Sequence, residues 1–187
     1  LNIINIMKNQ FKDVIVYPGD NKYVSAYNLS VDEEIENFAF SGCDSLTNIE
    51  ISDMVTSIGE KAFYYRSNLV LTKLPNTITS IGNDAFYQCN KLALKELPSS
   101  LISIGNNAFY YCTKTNITEL PSNLTSIGNS AFYGASLTYS VLDIKGDVKN
   151  IGSQAFRYAS LGDVKFSNVT SVPSCGSLAF GNTNIGK

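Results

Sequence analysis

The sequence contains no histidine and no tryptophan. Imidazole is the usual general base and the usual activator of serine and cysteine nucleophiles, so Ser–His and Cys–His machinery is excluded within this chain. No stretch reaches the roughly 18 consecutive apolar residues that mark a membrane-spanning helix, so no membrane insertion is expected of this segment. The 14 lysines and arginines are scattered, and the net charge is −2. A nucleic-acid surface needs clustered basic residues, so no nucleic-acid partner is expected. Zinc would need closely spaced Cys or His pairs, which are missing. The densest acidic run, Asp32-Glu33-Glu34 with Glu36, lacks the ligand spacing and turn glycine of a calcium loop and reads as a solvated rim. Gly181 to Lys187 spells Gly-x-x-x-x-Gly-Lys, but no Ser or Thr follows, as a phosphate-binding loop requires. No catalytic residue, metal or cofactor is therefore expected, and the chain reads as a non-enzyme.

What the sequence has is a period. Ile58–Ser80, Ile81–Ser103 and Ile104–Ser126 are three copies of one 23-residue sentence. Each opens Ile-Gly, carries Ala-Phe-Tyr and closes on Leu-Pro, an apolar residue and Ser. Ala39, Ala62, Ala85, Ala108, Ala131, Ala155 and Ala179 recur at intervals of 23 or 24, each followed by Phe. A period of this length is the signature of a solenoid, in which each rung buries its apolar face only against its neighbours. The expected division is residues 1–34 as an N-terminal cap or degenerate repeat, then residues 35–187 as an array of about six rungs. Within 1–34, Leu1, Ile4 and Ile6 are spaced like the strand at Leu46, Ile49 and Ile51. Val14–Tyr17 and Tyr23-Val24 around Pro18-Gly19-Asp20-Asn21 read as a hairpin. The chain opens on Leu1, the start expected of a processed or excised piece of a longer array.

Local chemistry suggests how one rung runs. In the copy from Ile81, Gly82 supplies a turn conformation, and Asn83 or Asp84 caps a short helical turn over Ala85-Phe86-Tyr87. Leu92, Leu94 and Leu97 form a short parallel strand ended by Pro98. Leu101 and Ile104 return to the inside. In three rungs the inward pair is three apart (Leu71 and Leu74, Leu94 and Leu97, Ile117 and Leu120), so a bulge or a late strand start is expected. Beyond Ala131 the frame loosens. One residue is inserted around Tyr139–Ile144, and extra residues are expected at Pro173-Ser174-Cys175-Gly176.

Stacked columns follow from the period. Cys43, Arg66, Cys89, Cys112, Ala135 and Ala159 share one position, where Cys reads as a small core filler. Cys43 and Cys89 are two rungs apart, about 9.6 Å at strand spacing, too far for a disulfide; Cys89 and Cys112 are neighbours. Cys175 is out of column. Glu50, Lys73, Glu96 and Glu119 form a charged column that reads either as a ligand ladder or as cross-strand pairing. Seven of the eleven tyrosines fall in one band: Tyr64, Tyr87, Tyr110 and Tyr133 after the phenylalanines, and Tyr65, Tyr111 and Tyr158 one position on. They read as a candidate partner-binding surface, because Tyr supplies stiff amphipathic contact area. The other reading, which the repeat itself favours, is rings that shield the turns and extend the core edge.

The rung Ile81-Gly82-Asn83-Asp84-Ala85-Phe86-Tyr87-Gln88-Cys89, with Leu92, Leu97-Pro98 and Leu101, resembles the BspA-like (Treponema pallidum type) leucine-rich repeat over residues 35–180. It departs at Arg66, Ala135 and Ala159, where Cys is usual. The resemblance implies an α/β leucine-rich repeat solenoid, right-handed, with short parallel strands and short helical or 3-10 turns. It implies a secreted or cell-surface module that binds a protein partner or adheres to host matrix. The alternative is a structural spacer of a larger surface protein with no ligand of its own.

Overall fold

The structure is a computed structural model that describes residues 14–16, 23–26, 33–44, 46–137, 141–169 and 171–183. The chain winds as a solenoid of parallel strands. Its strands are β1 (Val14–Val16), β2 (Tyr23–Ala26), β3 (Glu33–Ile35), β4 (Asn48–Glu50), β5 (Val55–Ile58) and β6 (Ser80–Ile81). They continue as β7 (Ser103–Ile104), β8 (Ser126–Ile127), β9 (Val141–Lys145), β10 (Asn150–Ile151), β11 (Asp163–Ser167) and β12 (Ser174–Cys175). β1 and β2 pair antiparallel, and β2 lies parallel to β4. The turn at Pro18–Asn21 and the strand anticipated at Leu1–Ile6 lie outside the described residues.

The backbone of the array is a seven-stranded parallel sheet in the order β12-β10-β8-β7-β6-β5-β3. Its register stacks Ser57, Ser80, Ser103 and Ser126 above one another, with Ile58, Ile81, Ile104 and Ile127 in the adjoining column. The isoleucines turn inward and are buried. This sheet is carried by the Ser-Ile step before the glycine, not by the Leu92–Leu97 segment. In the three copies from Ile58 to Ser126 that segment forms no strand, and single backbone bonds such as Ala93 N–H to the Leu71 carbonyl, 3.0 Å, hold it to its neighbour. Inward residues three apart cannot share one face of a period-two strand. Where the sequence does alternate, strands form: β4 carries Ile49, and β9 buries Leu142 and Ile144 while pairing with β11. Neither a bulge nor a delayed strand describes the middle rungs. The surplus anticipated at Pro173–Gly176 is also displaced. Ser174 and Cys175 pair in register with Asn150 and Ile151, so the extra residues lie upstream, after β11.

The α/β expectation is corrected on its helical part, since no helix of any kind occurs among the described residues. The reason is visible at Asp84–Cys89. Tyr87 and Cys89 donate back to the carbonyls of Asp84 and Phe86, both at 3.1 Å. The intervening amides of Asp84, Phe86 and Gln88 instead donate across to Asn106, Ala108 and Tyr110 of the next rung, each at 2.8 Å. Alternate N–H groups leave the rung, which no helix permits. The geometry is set by left-handed residues four apart, Asp84 at φ 54° and Gln88 at φ 54°. Both positions recur as columns: Lys61, Asp84 and Asn107 in the first, Tyr65, Gln88 and Tyr111 in the second.

Two sequence features take new roles in this corner. Asn83 does not cap a helix; its side-chain oxygen accepts from the Asn106 amide at 2.8 Å, and Asn106 does the same for Asn129 at 2.7 Å. Gly82 and its equivalents are not at positive φ. They are there because the rungs touch: a Cβ built on Gly128 would sit 2.5 Å from the backbone of Gly105 and Asn106.

Inside, Phe40, Phe63, Phe86, Phe109, Phe132 and Phe156 are fully buried. Their rings stack at 4.8 to 5.4 Å, within 8° of parallel, and Phe180 continues the stack. Leu101 and Ile104 are buried, completing the return. Cys43, Cys89 and Cys112 line the same interior. Arg66 occupies their column and is itself buried, with its guanidinium donating to Asp44 at 2.8 Å and to the Tyr64 carbonyl at 3.0 Å.

All four thiols are free. Burial pushes the Cys89 thiol up to about 12 and Cys112 well above its ordinary value. Cys43 is raised by burial and only partly relieved by Arg66. Partial burial raises Cys175 as well, but it is the one exposed thiol, so it alone should react readily with Ellman's reagent at neutral pH. The folded protein should give one rapid equivalent, and denaturation should release the rest; a second rapid equivalent would mean that the core is open.

Candidate functional site

The tyrosine band divides into two columns with different surroundings. Tyr64, Tyr87, Tyr110 and Tyr133 are half-buried and stack along the solenoid, Tyr87 on Tyr110 at 4.7 Å and Tyr110 on Tyr133 at 4.8 Å. Burial is the first cause of the raised phenol pKa at Tyr64, Tyr87 and Tyr110. These four therefore shield the corner turns as well as line the surface. Tyr65, Tyr111 and Tyr158 form the outer column, 47%, 41% and 46% exposed.

The outer rings lie crosswise on the inner stack. Tyr65 meets Tyr64 at 84° and Tyr87 at 65°; Tyr111 meets Tyr110 at 72° and Tyr133 at 60°. Tyr65 and Tyr111 thus each lie steeply across two inner rings while staying partly exposed, and Tyr111 also packs on Gly134, whose built Cβ would lie 2.9 Å from its ring. Tyr158 rests on Tyr133 and on Arg157, whose guanidinium lies 4.8 Å from its ring centre and donates to its hydroxyl. Gln88 and Gly134 occupy the outer column between the tyrosines.

The outer tyrosines sit where the backbone resists them. Tyr65, Tyr111 and Tyr158 have φ of 58°, 52° and 58°. A left-handed conformation costs a side chain with a Cβ roughly 1–2 kcal/mol, and Gly almost nothing. Gly42 and Gly134 occupy equivalent positions in other rungs.

A second surface was not anticipated. A groove of about 450 Å³ runs along the seven-stranded sheet, with Ser57, Ser80 and Ser103 on one side, Asn83 on the other and glycine backbone between. The recurring Ser before Ile-Gly was the signal for it. Apart from Glu34 and Glu60 at one end, its lining is uncharged.

The charged strand column is not a ladder. Glu50, Lys73, Glu96 and Glu119 are all exposed, and of these only Glu119 makes an ion pair, with Lys145 at 3.4 Å, among the described residues. Asp143 is paired with Lys165 at 3.3 Å, and a hydrogen bond from Ser167 is the first cause of its lowered pKa. No group of three or more metal-ligating side chains is gathered among the described residues. Among the described residues no helix is long and apolar enough to cross a membrane.

The model of the BspA type leucine rich repeat region matches residues 33–144 and 95–187, in six copies. A comparison with the curated proteins finds no match. Among solved structures, a Treponema pallidum leucine rich repeat protein superposes with a TM-score of 0.63 at 23% identity, covering 90% of this chain and 84% of that one. A leucine rich cell surface protein of Faecalibacterium prausnitzii gives 0.61 at 21% identity, over 90% of this chain and 50% of that one. A leucine-rich repeat protein of Bacteroides ovatus gives 0.58 at 23% identity, over 92% and 48%. This chain therefore spans about half the length of the latter two. At such identities the likeness establishes the fold.

Proposed function

The chain belongs to the BspA type leucine-rich repeat family, and from that premise we propose that it is a non-catalytic, surface-displayed module that holds a protein partner on its tyrosine band. The observation that carries this reading is the outer column. Three aromatic side chains stand half-exposed at left-handed backbone positions where glycine would be easier. A ring kept at a conformational penalty, outside the core, is better accounted for by contact with a partner than by folding. Tyr65, Tyr111 and Tyr158 are the contact residues in this reading. Tyr64, Tyr87, Tyr110 and Tyr133 set their orientation.

Surface display is supported by the family and by the similar Faecalibacterium protein, which is a leucine rich cell surface protein. Adhesion to host matrix is the finer form of the same proposal. Residues 1–34 serve in it as the cap that covers the first rung, with β2 extending the strand face beside β4.

Replacing Tyr111 with Gly tests the division of labour. The ring's loss removes aromatic contacts of about 0.5–1.5 kcal/mol, while relief of the left-handed strain returns about as much. Stability should stay within about 1 kcal/mol of the parent, read from urea midpoints. The triple variant Tyr65→Gly, Tyr111→Gly, Tyr158→Gly is then compared with the parent in pull-downs from a mucosal matrix extract. A protein held by the parent and lost by the variant supports the reading. Equal retention moves the site elsewhere, and no retention by either favours the spacer.

A further inference from the structure

We propose that the outer tyrosines form a docking track for a polyproline II segment that carries acidic residues. The inference rests on the tyrosine band as the contact surface and adds the conformation and charge of what it holds.

The spacing comes first. Tyr65, Tyr111 and Tyr158 are each two rungs apart, about 9.6 Å at strand spacing. A polyproline II helix has three residues per turn and rises about 3.1 Å per residue, so the same face recurs every 9.3 Å or so. Over the three rings the two repeats drift by only about 0.6 Å. A β-strand repeats its face about every 6.7 Å and falls out of step at the second ring. An α-helix repeats about every 5.4 Å, so every other turn would face Gln88 or Gly134, and two turns overshoot by about 1.2 Å each time.

The chemistry of the rings agrees. Tyr65 and Tyr111 offer partly exposed aromatic surface to a proline ring, as does the part of Tyr158 that Arg157 leaves open, and each carries a hydroxyl. A polyproline II backbone makes no internal hydrogen bonds, so its carbonyls are free to accept from those phenols. Charge sets the rest. Lys91 and Lys114 are exposed on neighbouring rungs, three residues beyond the outer column, and no carboxylate lies in 88–91 or 111–114. Lys91 is held by Asn68 at 3.0 Å. A ligand with prolines on the tyrosines and carboxylates on this flank meets both surfaces.

The probe is a synthetic peptide of five Pro-Pro-Glu repeats, titrated against the folded protein. With no tryptophan in the chain, the intrinsic emission reports the tyrosines. The expected result is saturable binding, at least tenfold weaker in Tyr111→Gly and in the pair Lys91→Glu, Lys114→Glu, with circular dichroism unchanged. Tyr111→Phe keeps the platform, loses the hydroxyl and should fall between. A peptide with Gly inserted after each triplet keeps every proline and glutamate, breaks the three-residue period and should bind at least tenfold more weakly. The proposal is overturned if the parent does not bind the Pro-Pro-Glu peptide, if Tyr111→Gly binds it as well as the parent, or if an acidic helical peptide or a β-linked glucose oligomer binds more tightly. Should the peptide fail while the triple glycine variant still loses its matrix partner, the band remains the contact surface and only this ligand is wrong.

Discussion

Gly128→Ala is expected to destabilise the protein by about 3 kcal/mol, the upper range for overpacking. The added methyl would meet the Asn106 nitrogen and the Gly105 carbonyl carbon at 2.5 Å and the Gly105 oxygen at 2.7 Å. All three are backbone atoms of the preceding rung, so no side chain can rotate away. To accommodate the methyl the rungs must separate, and separation stretches the bond from Gly128 N–H to the Ile104 carbonyl, now 2.8 Å. The control is Gly42→Ala. Gly42 has φ +82° and nothing within 4 Å of its built Cβ, so only the left-handed penalty of about 1 kcal/mol applies. Urea denaturation followed by circular dichroism should order the two variants clearly. Equal midpoints would refute the close-approach explanation of the glycine column.

Phe109→Ala should have the other large effect, a loss of about 3–5 kcal/mol. Phe109 is fully buried, and its ring is sandwiched between Phe86 at 5.4 Å and Phe132 at 5.2 Å. In a compact domain such a cavity lowers one global transition. Here each rung is stabilised by its immediate neighbours, so a gap in the middle also uncouples the two sides. The unfolding curve should broaden or split, and hydrogen exchange should show amides of one half opening before the other. Ile102→Ala lies seven residues away on the outside, 46% exposed, and should shift the midpoint by less than about 0.5 kcal/mol. A single sharp transition for Phe109→Ala at the parent midpoint would contradict a stacked core.

Much of this protein was legible because its residues repeat. Ala-Phe at every 23 or 24 residues required a stack, and the stack is there from Phe40 to Phe180. The buried column of Cys89 and Cys112 followed from the same alignment. The left-handed residues were not legible, since Lys61, Asp84, Asn107, Ser130 and Gln154 share no side-chain property that announces φ near 55°. Nor was the exchange of amides between rungs, which turned an apparent helical turn into a second inter-rung ladder. Tyr110 and Tyr111 looked alike in sequence, adjacent in the same repeat, yet Tyr111 is exposed and Tyr110 is part of a stack.

The sequence alone settled the period, the inward columns and the family, because burial of an apolar face leaves its mark in which residues recur. Tertiary structure alone decided which segment became the sheet, why Gly128 must lack a side chain and which tyrosines face water. Those depend on how closely one rung approaches the next, and a distance between neighbours is a property of the pair, written in neither rung by itself.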